Sequence, residues 1–134
     1  MIFQWQILLL ERCLMLGIDL VQVSRLKLDD KFIGRIAHDD EIAYIKKGKS
    51  ESLQRQRLAA LWAVKEAVMK ALSLGEGSGV SFKDIKLCHQ PNGKPYVELF
   101  GVALQEMHAT HYGKQIEVSI SHTAEYATAI AMIV

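Results

Sequence analysis

The chain has 134 residues, 50% of them apolar, and a formal net charge of +1, enough for one buried core and too few for the usual division into two domains. No stretch reaches the roughly eighteen uncharged apolar residues of a membrane span, and no dense basic run interleaved with aromatics appears, which sets aside membrane-spanning and nucleic-acid-binding classes. Two cysteines, Cys13 and Cys88, have no further Cys or His at ligand spacing, so neither a zinc site nor a disulfide framework is expected.

Segment 1–16 is apolar, but it lacks a basic start and a small-residue cleavage site, and Glu11-Arg12 interrupts it. It is a poor signal peptide, and cytoplasmic residence is expected. Leu16 to Val23 is nearly all apolar and suits a buried strand that turns into a helix. Residues 25–57 hold nine Lys/Arg against six Asp/Glu, a basic segment that is either a solvated helical surface or a docking patch.

Within that segment Leu28, Phe32, Ile33 and Ile36 repeat at helical spacing, and Asp39-Asp40-Glu41 opens a second short helix that Gly48 could close. From Leu53 to Ser73 the positions Leu58, Leu61, Trp62, Val68, Met69 and Leu72 mark the longest amphipathic helix. A flexible loop follows at Gly75 to Gly79; with no Gly-Lys-Ser/Thr it is not a P-loop. Phe82, Ile85 and Leu87 predict a strand, Pro91-Asn92-Gly93-Lys94-Pro95 a turn, and Tyr96 to Leu99 the returning strand of a hairpin. Residues 102–112 read as a helix ended by Gly113, with His108 and His111 on one face as core or interface residues. Ile116, Val118 and Ile120 alternate as a strand, and Tyr126 to Val134 forms another. The order predicts an α+β fold: a small single domain with an antiparallel sheet packed against one long helix.

Two positions in these elements need a reason. Asp is ill suited to a strand interior, so Asp19 either caps a following helix, with Gln22 as capping-box partner, or is a carboxylate fixed for a hard cation. Lys65 falls in the middle of the apolar stripe of the long helix, where its ammonium must meet a protein carboxylate or a ligand phosphate unless its stem reaches an edge. Glu66 lies at the margin of the stripe. It either forms an i,i+4 pair with Lys70, worth roughly 0.2–0.5 kcal/mol, or supplies a second metal ligand. Together Lys65, Glu66 and Lys70 bracket a carboxylate with cations, as expected where Mg²⁺ and phosphates are held.

Four stretches in order carry a family likeness: Gly17-Ile18-Asp19 with Arg25, Trp62-Ala63-Val64-Lys65-Glu66-Ala67 running on to Leu72, Asn92-Gly93-Lys94-Pro95, and Ser119-Ile120-Ser121-His122-Thr123. From about Met15 to the C-terminus the chain resembles the holo-acyl-carrier-protein synthases, the small bacterial class of 4′-phosphopantetheinyl transferases. The resemblance implies the fold of that family, transfer of 4′-phosphopantetheine from coenzyme A to a serine of an acyl carrier protein, a place in fatty acid biosynthesis, and a homotrimer with each site built across a subunit interface. It implies Asp19 and Glu66 as Mg²⁺ ligands and Lys65 and Lys70 as phosphate contacts. It also implies Asn92, Gly93, Lys94, Pro95 and His122 at coenzyme A, and Arg25, with Lys27, Lys31 and Arg35 beside it, at the acidic carrier protein. Glu66, a metal-bound water or His122 could take the serine proton, and spacing does not rank them.

The chain departs from the pattern at Leu61-Trp62, where Arg-Phe is common, and at Ser73-Leu74-Gly75, where Gly-Thr-Gly is common. The missing arginine removes one candidate phosphate contact, so the holding of coenzyme A phosphates is expected to differ. Residues 1–14 lie outside the match as an N-terminal extension whose status the sequence leaves open: either a wrongly chosen start before Met15 or a real element covering an edge. The resemblance implies that residues 15–134 form the transferase domain. The rival readings are a non-catalytic coenzyme A or carrier-protein binding module and a purely structural oligomerisation domain.

Overall fold

A computed structural model describes residues 15–134; the extension 1–14 and Cys13 lie outside the described residues. Strand β1 (Met15–Gln22) leads into a 3-10 turn at Val23–Arg25, then helices α1 (Asp30–Ile36), α2 (Asp39–Lys46) and α3 (Glu51–Ala71). A second 3-10 turn at Phe82–Asp84 precedes β2 (Ile85–His89), β3 (Pro95–Leu99), α4 (Gly101–Thr110), β4 (Ile116–His122) and β5 (Tyr126–Ile133). One antiparallel sheet has the order β1-β5-β4, with Asp19 opposite Ala129 and Ala129 opposite Ile120; β2 and β3 form a separate hairpin.

The period-2 geometry of a strand sorts β1 into two faces. Gly17, Asp19 and Val21 turn inward, whereas Leu16, Ile18 and Leu20 are 51%, 62% and 66% exposed. The expected wholly buried strand is therefore buried on one face only, because no layer of the described residues covers the other. The inner face of β5 is Ala127, Ala129 and Ala131, and α3 presents Ala59, Ala63, Ala67 and Ala71 at four-residue spacing, all buried. Small residues on both sides allow the helix to lie close to the sheet. Gly17 is the tightest point, since a Cβ built there would lie 1.9 Å from Ala67 O. Larger side chains fill the flanks, among them Leu58, Val64 and Val68 of α3, each contributing about 1.5–3 kcal/mol on burial.

Local chemistry sets the ends of the helices. Asp29 accepts the Lys31 N–H at 3.2 Å and Ser50 the Leu53 N–H at 3.1 Å as N-caps. At the end of α3 the Ser73 N–H bonds Lys70 O at 3.1 Å and the Leu74 N–H bonds Met69 O at 2.9 Å, a Schellman motif. Ser73 takes its left-handed position at φ 57°. Two expectations fail locally. Phe82 lies in a 3-10 turn instead of a strand, because Ser81 and Asp84 form a capping box around it. Asp19 caps no helix: β1 continues through Gln22, and the following turn has no side-chain cap.

Candidate active site

Asp19 and Glu66 come from different elements to one cleft of about 440 Å³, lined also by Leu20, Val21, Arg25, Leu26, Phe32 and Trp62. The strand register directs the Asp19 side chain toward α3, and Thr128 Oγ1 pins its backbone by donating to Asp19 O at 2.8 Å. Lys70 Nζ donates to Asp19 Oδ1 at 3.3 Å and to Ile18 O at 3.0 Å. Lys70 is thus the partner of Asp19 and forms no i,i+4 pair with Glu66. The remaining oxygen, Asp19 Oδ2, is buried with no hydrogen-bond partner among the described residues.

An orphaned buried carboxylate oxygen is unusual, since buried polar atoms are nearly always satisfied. Glu66 shares the strain: burial pushes its carboxyl above the ordinary range, the charge of Asp19 adds to this, and Lys70 opposes it. Two carboxylates beside an open cleft suit a hard divalent cation that keeps waters and phosphate oxygens as its other ligands. No cluster of three or more His, Cys, Asp or Glu side chains occurs among the described residues, so a closed protein cage is not the alternative there.

Lys65 does not line this cleft. It is wholly buried, and its ammonium donates to Glu41 Oε1 at 3.1 Å, to Phe82 O at 3.0 Å and to Ile85 O. With three donors used, nothing is left for a phosphate, and the expected coenzyme A contact is corrected to an internal ion pair. Burial depresses the pKa of Lys65, and Glu41 opposes the shift. Of the two partners that the apolar stripe left open, the protein carboxylate is the one present.

The other expected residues gather elsewhere. Gly93, Pro95 and His122 line a cleft of about 170 Å³ with Tyr44, Arg57, Ala60, Leu87, His89 and Ile120. Asn92 shapes the turn, its Oδ1 accepting the Lys94 N–H at 3.0 Å, and Gly93 has φ 89°. Lys94 turns away to Glu117 at 3.7 Å, into a neighbouring groove between the hairpin and α4. His122 Nδ1 is engaged by Gln56 Oε1 at 2.9 Å, leaving Nε2 without that tie. Arg25, exposed, stands with the carboxylates, and the two clefts share no lining residue.

Sequence reasoning missed Arg57, Tyr44, His89 and Glu41. Arg57 lies over the Tyr44 ring at 4.5 Å and donates to Tyr44 O at 2.7 Å, while Tyr44 stacks on His89 at 4.5 Å. Burial, with help from Arg57, lowers the pKa of His89. Arg57 was legible only as one more charge in a basic segment. Glu41 had a signal in His38-x-x-Glu41, a capping-box spacing that the structure uses.

The profile of the 4′-phosphopantetheinyl transferase superfamily matches residues 15–131. A holo-acyl-carrier-protein synthase of Clostridium acetobutylicum is 40% identical over 122 residues, 87% of this chain and 94% of its own length. One from Koribacter versatilis is 35% identical over 122 residues, with the same coverage of 87% and 94%. Among solved structures, the Helicobacter pylori holo-acyl-carrier-protein synthase in complex with coenzyme A is 30% identical with a TM-score of 0.72, covering 89% of this chain and 99% of that one. The Bacillus anthracis enzyme in complex with CoA (3′,5′-ADP) is 32% identical, again with a TM-score of 0.72, covering 88% and 93%.

Proposed function

The chain belongs to the 4′-phosphopantetheinyl transferase superfamily, and from that premise we propose that it is a holo-acyl-carrier-protein synthase, transferring 4′-phosphopantetheine from coenzyme A to a serine of an apo acyl carrier protein. The serine oxygen forms a bond to the phosphorus nearer the pantetheine, the bond from that phosphorus to 3′,5′-ADP breaks, and the serine proton leaves. The observation that carries the reading is Asp19 Oδ2, buried and without a hydrogen-bond partner among the described residues, in the cleft that Glu66 shares.

Asp19 and Glu66 hold Mg²⁺ in this reading; when bound, the ion neutralises pyrophosphate oxygens and stabilises the departing phosphate. Lys70, already beside Asp19 Oδ1, contributes a fixed positive charge where negative charge develops, which is usually the largest catalytic effect. The serine proton goes to Glu66, to a water held at the site or to His122, whichever lies within hydrogen-bond reach of the serine. Arg25 at the same cleft docks the acidic carrier, a contact that acts on association and is screened by salt. In the second cleft His122 and the Asn92-to-Pro95 turn serve coenzyme A, with Arg57 as a further cation. The exposed apolar face of Leu16, Ile18 and Leu20 and the separation of the two clefts in one chain support a homotrimer that joins one copy's carboxylate cleft to its neighbour's second cleft. Cytoplasmic work in fatty acid biosynthesis completes the reading; no helix among the described residues is long and apolar enough to cross a membrane.

The test mixes the protein with apo acyl carrier protein, coenzyme A and Mg²⁺ and reads the carrier's mass. One added phosphopantetheine is expected. No gain across Mg²⁺ concentrations and carriers would reject the enzyme in favour of a binding module.

A further inference from the structure

Lys65 and Glu66 are consecutive on α3, so their side chains leave the helix about 100° apart. Glu66 faces the carboxylate cleft, and Lys65 is anchored on the side of α2 and β2. Glu41 ties that anchor together. Its Oε1 accepts the His38 N–H at 2.8 Å as well as Lys65 Nζ, and its Oε2 accepts the Leu87 N–H at 2.9 Å. The Lys65 ammonium reaches two carbonyls of the chain entering β2, those of Phe82 and Ile85. On its sheet-facing side α3 is stopped by Gly17 against Ala67 O. The helix is therefore held from two directions at the turn that contains Glu66.

A second line runs through Phe82. Lys65 fixes its carbonyl, its ring stacks on Trp62 with centroids 4.6 Å apart, and Trp62 lines the cleft beside Glu66. An ion pair at this depth is a poor means of gaining stability, because desolvating two charges offsets most of their attraction, and a matched apolar pair often does as well. What it offers over an apolar contact is direction, since a saturated ammonium fixes one azimuth of the helix. We propose that Glu41 and Lys65 form a positioning clamp for the active site: they set the rotation of α3 that aims Glu66 at Asp19 and hold the Trp62 wall, without touching substrate. The role given to Glu66 rests on the transferase reading.

The decisive variant is Glu41→Gln with Lys65→Met, which removes both charges while keeping an acceptor for the Leu87 N–H. Three quantities are read: the thermal midpoint, Mn²⁺ binding by its electron paramagnetic resonance signal with and without coenzyme A, and the split of transfer into kcat and carrier KM. The expected result is a folded protein with a lowered midpoint, because the Phe82 and Ile85 carbonyls and the His38 N–H lose their partners, with Mn²⁺ binding weakened by roughly 10-fold or more as for lost support of a metal ligand, a lower kcat, and an unchanged carrier KM. Glu41→Asp, which keeps the ion pair but withdraws it by one methylene, gives the same readouts whether or not the double variant folds. Wild-type Mn²⁺ affinity and kcat in either folded variant would overturn the clamp and leave the transferase reading standing. A wild-type protein that neither binds Mn²⁺ nor modifies the carrier would overturn that reading, and the clamp with it.

Discussion

Glu66 on α3 faces the cleft from one side and Asp19 on β1 from the other, and the charge of Asp19 adds to burial in holding the Glu66 carboxyl above its ordinary range. Lys70 contacts Asp19 and Arg25 lines the same cleft, yet ionised Glu66 remains costly until a cation enters. Function and stability are therefore opposed at this pair, and the opposition can be measured.

Glu66→Gln removes one of the two charges and keeps the shape. Its metal-free thermal midpoint should rise, while transfer falls by roughly 100-fold or more, the scale of losing a group that stabilises developing charge. Asp19→Asn should lose transfer to a similar extent; it also loses the Lys70 ion pair, so no gain in stability is expected. Carrier mass spectrometry and thermal melts with EDTA check both. Full activity in either variant would reject the metal assignment.

The pH dependence follows from the direction of the Glu66 shift. A carboxyl raised in the folded state binds its proton more tightly when folded, so its contribution to stability is fully present below the ordinary value of 4.5 and is lost as pH rises through the raised value. Melts in EDTA should show this loss, and saturating Mg²⁺ should diminish it by selecting the ionised form. In the opposite sense, metal affinity should fall as pH drops through the same window, with proton release on binding. A Glu66→Gln protein with an unchanged pH profile of stability would contradict the assignment.

Gly17→Ala places a methyl group where Ala67 O lies 1.9 Å from the ideal Cβ and Ala71 N lies 2.7 Å from it. Both atoms are backbone and cannot swing aside, so β1 must move off α3. A loss of about 1–3 kcal/mol or more is expected, the usual range for overpacking. Because β1 carries Asp19 and α3 carries Glu66, the folded fraction should also lose transfer beyond what its population explains. Denaturant melts combined with rates per folded molecule separate the two effects.

The order of the elements was readable because local signals agreed: the apolar stripe of α3, the Asn92-Gly93 turn, and the alternation in β4. The carboxylate pair was readable because Asp19 in a strand and Glu66 beside a buried lysine are both locally anomalous. What escaped was non-local. The stripe showed that Lys65 needs an anion, but Glu41 lies 24 residues earlier, and two of the other acceptors are backbone carbonyls with no sequence signature. The same limit hid the division into two clefts, since strand pairing, not chain order, decides which turn meets which helix. Burial of β1 was overestimated because an unbroken apolar run looks alike whether its second face meets its own chain or another.

Ser73 holds the left-handed position of a Schellman motif at φ 57°, where a side chain costs about 1–2 kcal/mol relative to glycine. Ser73→Gly should recover part of this, offset by the extra freedom glycine has when unfolded, for a net gain of roughly 0.5–1 kcal/mol. Ser73 lines neither cleft, and the substitution keeps the N–H that bonds Lys70 O, so rates per folded molecule should be unchanged. A destabilised glycine variant would mean that the serine hydroxyl makes a compensating contact.

Ile18 tests whether the outer face of the sheet is an interface. The residue is 62% exposed beside Leu16 and Leu20, while its backbone carbonyl accepts from Lys70 Nζ at 3.0 Å. Ile18→Glu should leave that backbone bond and the monomer core intact, because the new carboxylate projects into solvent. In an assembly that covers this face it would bury an unpaired charge on an apolar surface, a strongly unfavourable arrangement. If the proposed trimer forms, the variant should run as a folded monomer by light scattering under conditions where the wild type assembles. It should also lose transfer, although neither cleft of its own chain is altered. A monomeric variant that kept full activity would show that one chain's clefts suffice, and the shared-site proposal would fall while the Asp19 and Glu66 assignment stood.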